Sequence, residues 1–252
     1  KECLDGIYDC DIFDFSPPVD EDISSLDSDL IDIGIFVQNW SLHLLERNKI
    51  NICIPNEEWL TERELSELKL FDYVICKSKH SQNILKQYGN TEQLYFWSED
   101  MRDDRIFGVD TKVHFAGKSI QKNTDILLDD TDLTIIDSTE RFRGRAKGNY
   151  IDYYLSDKDL KFHLNNNNFH ICPSLYEAHG HYMFEGITCD KTIIATDLPV
   201  WTEQIDPDYI HFIEHVVVTG CCESSEYEFL NNTNYPLREG YIIDSNILKD
   251  VD

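Results

Sequence analysis

The chain has 252 residues, 41% hydrophobic and 28% charged, and its 48 Asp and Glu outweigh 22 Lys and Arg to leave a net charge of −26. That balance excludes nucleic acid or an anionic membrane as a partner held through a broad basic surface, and the apolar fraction excludes disorder over most of the length. No run of about 18 apolar residues is present to span a bilayer.

An anionic ligand must therefore be met by a local cluster of cations. The first residues, Lys1 to Asp5, do not resemble a signal peptide. Cysteines at positions 3, 10, 53, 76, 172, 189, 221 and 222 lack the repeated close pairs of a zinc site. Cys53, Cys76 and Cys172 fall in apolar runs and read as small core residues, so reduced thiols and a cytoplasmic location are expected.

In chain order, the stretch to about Asp29, with Pro17-Pro18 and many Asp and Ser, reads as surface wrapping or one short strand. Residues 30–37 read as a buried strand, 41–47 as a helix and 50–54 as a strand. Pro55-Asn-Glu-Glu-Trp59 opens a turn into a helix running to about residue 70. A strand at 73–76, a helix at 81–87 stopped by Gly89, and a strand at 94–97 close the first unit. Residues 98–110 form the connection. The second unit has strands at 112–116, 133–136 and 150–155, a helix at 124–128, and a helix N-cap in Ser156-Asp-Lys-Asp159. A strand at 169–173 follows, then a short helix at 199–205 and an apolar segment at 211–218. Strand and helix alternate in both halves. The fold class is α/β, with two Rossmann-like domains facing a cleft, residues 1–110 and 111–252, the first of them reduced.

Two segments carry chemistry. Ile171-Cys-Pro-Ser-Leu-Tyr-Glu-Ala-His-Gly-His-Tyr-Met-Phe-Glu-Gly186 reads as strand, polar loop and helix, and Lys191-Thr-Ile-Ile-Ala-Thr-Asp-Leu-Pro199 supplies the next strand. Glu177 falls in the loop and Glu185 about two turns further on, so both can line a crevice outside the carboxyl ends of the strands. Among 48 acidic residues that spacing arises by chance often, and the framing residues give it weight. The second segment, Phe115-Ala-Gly-Lys-Ser-Ile-Gln-Lys-Asn-Thr124, places Gly117, Lys118 and Lys122 between a strand end and a helix start. An anion is favoured there. The spacing is not that of a P-loop, and a solvated loop with two lysines is the alternative.

The framing of the two glutamates resembles the donor-binding signature of retaining glycosyltransferases of the GT-B fold, in particular glycosyltransferase family 4, including Gly180-His181-Tyr182 after the loop. The resemblance covers residues 112–205 well and 30–97 loosely. It implies transfer of a sugar from a nucleotide diphosphate sugar to a glycan acceptor, with retention. Lys118 and Lys122 resemble the family's diphosphate-holding pair, with Lys replacing Arg at the first place, which weakens bidentate grip. Glu185 is then expected on the ribose hydroxyls and Glu177 beside the transferred sugar, as the catalytic carboxylate. Backbone amides of Gly180, His181 and Tyr182 are expected at the distal phosphate. The same resemblance puts the base at the end of the 153–155 strand, where Tyr153 and Tyr154 are either base contacts or core aromatics. Ala178-His179 stands where the family commonly has Gly-Phe, a departure that bears on sugar preference.

The acceptor side is less marked. Glu57, Glu58 and His80 follow apparent strands and are candidates for orienting an acceptor hydroxyl, with a surface or turn-capping role as the alternative. Arg141, Arg143, Arg145 and Lys147 read as a solvated basic loop. Asp-x-Asp triplets such as Asp27-Ser-Asp29 and Asp130-Thr-Asp132 are too numerous to mark a metal site, and the family resemblance implies no required metal and no cofactor beyond the donor. The compact size resembles small virus-encoded glycosyltransferases that build capsid glycans, some using pentoses, which implies a UDP-sugar and makes UDP-xylose a candidate. A nucleotide-sugar epimerase and a non-catalytic module that binds sugar nucleotide or glycan share this fold. A hydrolase using the two glutamates would leave the lysine loop without a role.

Overall fold

The computed structural model describes residues 31–117, 120–206, 210–213, 216–219 and 239–242. Two parallel sheets dominate. The first contains β1 (Ile31–Val37), β2 (Asn48–Ile54), β3 (Tyr73–Cys76) and β4 (Thr91–Gln93), hydrogen-bonded in that order. Its connections carry α1 (Leu42–Leu45), α2 (Glu62–Glu67) and α3 (Lys79–Leu85). Thr61 and Glu64 form a reciprocal capping box at the start of α2, and the Ser78 hydroxyl accepts from the Ser81 amide at the start of α3. These caps satisfy amides that the first helical turn leaves without partners. Phe36, Cys53, Val74 and Cys76 project from one face of the sheet into a core with Leu44, Leu65, Leu68 and Leu85.

The second sheet contains β5 (Val109–Phe115), β6 (Leu133–Ile136), β7 (Asn149–Ile151), β8 (Asn167–Cys172), β9 (Thr192–Thr196) and β10 (Ile210–Ile213), in the order β10-β9-β8-β5-β6-β7 and parallel throughout. Helices α4 (Asp157–Asn166), α5 (His181–Thr188) and α6 (Pro199–Thr202) lie in its later connections. Numbered within the sheet this is 6-5-4-1-2-3, the doubly wound order that reverses between β5 and β8. Successive residues of β9 go to opposite cores: Ile194 joins Leu133, Ile135 and Ile171, while Ile193 and Ala195 join Met183, Leu198 and Trp201. Burial on both faces explains the apolar run Ile193-Ile194-Ala195 in the sequence. A separate antiparallel pair is formed by β11 (Val216–Thr219) and β12 (Glu239–Ile242).

The alternation of strand and helix expected from the sequence holds, and the departures have local causes. The helix expected over 124–128 is a single tight 3-10 turn at Thr124–Leu127, because Asn123 ahead of it takes a left-handed conformation (φ 54°). The strand expected to reach residue 155 stops at Ile151, where its pairing with β6 ends at Ile136. Tyr153 and Tyr154 are consequently exposed, at 56% and 84%, which removes their core reading. Thr91–Gln93 takes the place expected for a strand at 94–97, and residues 94–100 join the connection to β5.

Side chains bridge the two sheets' units. The Glu203 carboxylate after α6 accepts from the amides of Lys79 (2.6 Å) and His80 (2.9 Å) at the start of α3. The connecting segment is held by bonds from the Met101 amide to Thr188 Oγ1 (3.1 Å) and from the Asp103 amide to Asn165 Oδ1 (2.9 Å). Trp59 meets Tyr176 edge-on at 6.2 Å, so the loops after β2 and β8 approach each other.

Candidate functional site

The order reversal between β5 and β8 leaves a crevice outside their carboxyl ends, because the chain departs from these two neighbours toward opposite faces of the sheet. Two loops enter it. The loop after β5 carries Gly117 and Lys122, and the loop after β8 carries Ser174 and Glu177. A backbone bond from the Leu175 amide to the Gln121 carbonyl (2.8 Å) fixes one against the other. His114, fully buried within β5, reinforces the junction, with Nδ1 2.8 Å from the Ile171 carbonyl and Nε2 2.8 Å from Thr124 Oγ1. Burial holds this imidazole neutral, with its pKa down to about 4.

The side chains converge on Glu177. Its carboxylate pairs with Lys122 Nζ and accepts from Ser174 Oγ at 2.8 Å and Gln121 Nε2 at 3.1 Å. The Glu177 side chain is only 6% exposed. A carboxylate so enclosed is stabilised only by charge pairing and hydrogen bonds, and this one has both. Lys122 Nζ also lies 3.9 Å from the centroid of the Tyr182 ring, whose hydroxyl is 2.7 Å from Ser174 Oγ. Gly117, at φ 61°, passes over the Lys122 stem, where an added Cβ would sit 3.7 Å from Cγ.

Helix α5 begins at the same place. Gly180 is its N-cap at φ 80°, with no side-chain cap, so His181 and Tyr182 open a helix whose first amides face the crevice mouth without a capping side chain. Only glycine fits there, since a Cβ on Gly180 would come within 2.9 Å of the Trp201 ring. Trp201 Nε1 donates to the His179 carbonyl at 2.8 Å and fixes the turn. Glu185, about one turn along α5 and half-buried, has its carboxyl pKa raised by burial, with the Lys122 charge opposing. Lys122 therefore acts electrostatically on both glutamates of the signature.

The first sheet contributes a second group of charges across the cleft. Glu57 and Glu58, at 5% and 6% exposed, are buried in the turn after β2, not displayed on a surface. Glu57 accepts from Ser81 Oγ. The Glu58 pKa is pushed up to about 8 by burial and then by the charges of Glu57 and Glu177. Lys77, directly after β3, donates to Asn56 Oδ1 and stands 5.8 Å from the Phe96 ring centroid. Burial lowers its pKa, against the fields of Glu58, Glu57 and Glu177. His80 lies half-buried in the first turn of α3, its amide held by Glu203.

Glu177, Lys122, Tyr182, Glu185, Gly117 and Gly180 are thus brought to one crevice, and from the other sheet Glu58 comes near enough to feel the Glu177 charge. Lys118 lies outside the described residues. Tyr154 follows β7, two strands from the reversal point, and is not drawn into this cluster. The basic loop is paired to neighbouring acids: Arg143 to Glu140 and Asp152, Arg145 to Asp125, Lys147 to Asp129. Among the described residues no group of three or more His, Cys, Asp or Glu side chains is arranged to hold a metal ion. Sequence reasoning passed over Lys77, Asn56, Gln121 and His114 as site or supporting residues. The signals nearest to them were Glu57, beside Asn56, and His80, three residues after Lys77.

No family model matches the chain, and no curated protein sequence matches it. Solved structures do. A sucrose-phosphate synthase from Thermosynechococcus elongatus superposes with a TM-score of 0.51 at 12% identity, over 75% of this chain and 60% of that one. TarM gives 0.54 at 11% identity, over 80% and 47%, and the pneumococcal O-GlcNAc transferase GtfA, solved with UDP and GlcNAc, gives 0.55 at 8% identity, over 82% and 50%. The fold is accordingly the GT-B fold, and the chain spans between about half and three fifths of the length of these structures.

Proposed function

We propose that this protein is a retaining glycosyltransferase that moves a sugar from a nucleotide diphosphate sugar to a glycan acceptor. The observation that carries the reading is the enclosed Lys122–Glu177 pair at the reversal point of a doubly wound sheet, beside the uncapped start of α5. A cation beside helix-terminal amides suits a diphosphate, and the buried carboxylate paired with that cation suits the sugar next to it. In a chain of net charge −26, such a local pair of features is what an anionic donor needs. UDP is the favoured nucleotide, supported by the UDP bound to GtfA, and UDP-xylose is one candidate donor.

In this proposal residues 111–252 form the donor domain and residues 1–110 the acceptor domain. Lys122, with Lys118, holds the diphosphate; Glu185 accepts from the ribose hydroxyls; amides of Gly180 to Tyr182 meet the distal phosphate. The bond between the anomeric carbon and the leaving phosphate oxygen breaks as a bond to the acceptor oxygen forms on the same face. The acceptor proton passes to the departing phosphate oxygen. Charge accumulates on the diphosphate, where Lys122 and the helix terminus would offset it, and positive charge on the sugar, beside Glu177. Across the cleft, Glu57, Glu58 and His80 would meet the acceptor hydroxyls. The base, by the resemblance, would meet residues 153–155, which follow β7. No metal has a part in this scheme.

Donor turnover with and without a glycan acceptor tests the reading. Release of nucleoside diphosphate that requires acceptor, persists in EDTA and yields a product of the donor's anomeric configuration is expected. Acceptor-independent conversion of the donor sugar would make the protein an epimerase, and transfer restored only by Mn²⁺ would overturn the metal-free scheme.

A further inference from the structure

Three neighbouring strands of the first sheet are each followed by a polar side chain, and the three are joined in series. Gln38 directly follows β1, Asn56 lies two residues after β2, and Lys77 directly follows β3. Lys77 Nζ donates to Asn56 Oδ1, and Asn56 Nδ2 donates to Gln38 Oε1 at 3.0 Å. An ammonium can only donate, so it fixes which way the Asn56 amide faces, and Asn56 in turn fixes Gln38. Gln38 is held there against backbone strain. It sits at φ 67° in a three-residue turn closed by the Asn39 amide on the Val37 carbonyl (2.8 Å), and its own amide donates to the Ile54 carbonyl at the end of β2 (3.0 Å). Glycine would take this conformation freely, so what the position keeps by having glutamine is the side chain.

The series ends on a partly buried cation. Among the described residues Lys77 forms no ion pair, and its one hydrogen bond is to Asn56, which leaves two of the three ammonium N–H donors open. Contacts trace it to the start of α5. Nζ lies 5.8 Å from the Phe96 ring centroid, that ring meets His179 edge-on at 6.3 Å, and His179 is 4.6 Å from His181, the first residue of α5. Burial and then the Lys77 charge lower the His181 pKa, with Lys122 acting in the same sense and Glu177 against them. Two cations therefore reach the start of α5, Lys122 from its own sheet and Lys77 from the other.

We propose that Lys77 is the cation by which the first sheet's unit holds the diphosphate of the donor, with Asn56 and Gln38 as the positioning residues behind it. The inference rests on the donor reading of the crevice given above. Lys122 is paired with Glu177, and that pair alone carries little net charge toward an anion. In a chain of net charge −26 a diphosphate needs a cation that no carboxylate has neutralised, and Lys77 is one. A ligand held by Lys122 and α5 on one side and by Lys77 on the other joins the two units, so donor binding and tightening of the cleft become one event.

Calorimetric titration of UDP, GDP, uridine and guanosine into wild type, Lys77→Met, Lys77→Arg and Gln38→Gly tests this. Lys77→Met should weaken the diphosphate that wild type binds by at least about tenfold, the loss of one charge-assisted hydrogen bond, and leave its nucleoside unchanged. Lys77→Arg, which keeps the charge, should bind the diphosphate far better than Lys77→Met. Gln38→Gly should melt no lower than wild type, since the left-handed strain is relieved, and yet bind the diphosphate more weakly. In hydrogen exchange, the diphosphate should slow deuterium uptake over residues 74–80 of wild type and not of Lys77→Met. Equal diphosphate binding by wild type and Lys77→Met, equal weakening of diphosphate and nucleoside, or unchanged binding by Gln38→Gly would overturn the proposal and leave the donor reading standing. A wild type that binds neither diphosphate would remove the donor reading and this inference with it.

Discussion

Replacing Lys122 by Met leaves the Glu177 carboxylate, 6% exposed, without a cation. Removing one partner of a buried ion pair costs about 3–5 kcal/mol. Here Ser174 Oγ at 2.8 Å and Gln121 Nε2 at 3.1 Å still hold the carboxylate, so the lower end, about 3 kcal/mol, is expected. Glu177→Gln keeps the shape and leaves the ammonium, itself 16% exposed and able to reach water, so it should cost less, about 1–2 kcal/mol. In Lys122→Met/Glu177→Gln neither charge is stranded, and the loss should fall short of the sum of the single variants by about 2 kcal/mol. The assay is urea unfolding of all four proteins, followed by circular dichroism and Trp fluorescence. Additivity to within about 0.5 kcal/mol would show that the pair is not energetically coupled and would refute the enclosed-pair account.

Three further outcomes are expected. His114, His170 and His179 are buried with pKa values near 4, below the ordinary 6.5, so the unfolded chain binds more protons between those values. Stability should be complete above about pH 6.5 and fall as pH drops toward 4, by up to about 3 kcal/mol per histidine; His179→Phe, which removes two ring nitrogens without partners and keeps the stacking on Phe184, should flatten part of that slope in thermal melts across pH. Glu203→Ala should cost about 1–2 kcal/mol and speed amide exchange at Lys79 and His80, since it removes two charge-assisted bonds between the units. Gly180→Ala should destabilise well beyond Gly144→Ala, because both have positive φ but only Gly180 has an obstacle, the Trp201 ring at 2.9 Å, and a smaller Tm loss for Gly180→Ala would contradict the turn geometry.

Legibility followed the physics of burial. The strands β8 and β9 were plain in the sequence because both faces are buried, giving β9 the run Ile193-Ile194-Ala195 and ending β8 on Ile171-Cys172 ahead of Pro173. Gly117 and Gly180 announced tight backbone geometry, and both adopt positive φ. What the sequence did not convey is convergence. Lys122 and Glu177 are 55 residues apart and meet only because β5 and β8 are neighbours in the sheet, an adjacency set by topology. Glu57 and Glu58 looked like turn acids until the packing of Trp59 against Tyr176 closed the cleft around them. His114 gave no signal at all, since one histidine in an apolar strand is indistinguishable from a satisfied core residue until its two partners are seen. Tyr154 was misjudged in one of its two readings because an aromatic pair at the end of a β-rich run resembles a strand, and the outermost position of β7 decided otherwise.

The central claim is that the crevice between β5 and β8 binds a nucleotide diphosphate sugar. Calorimetric titration of UDP, GDP and their common sugars into wild type, Lys122→Ala and Glu185→Ala tests it most directly. The account predicts saturable binding of one nucleotide, weakened at least about tenfold by Lys122→Ala, a loss of about 1.4 kcal/mol, and weakened more for the diphosphate than for the nucleoside alone. Glu185→Ala should weaken nucleoside and diphosphate alike. If no nucleotide binds the wild type, or if binding is unchanged in Lys122→Ala, the donor-site assignment is contradicted.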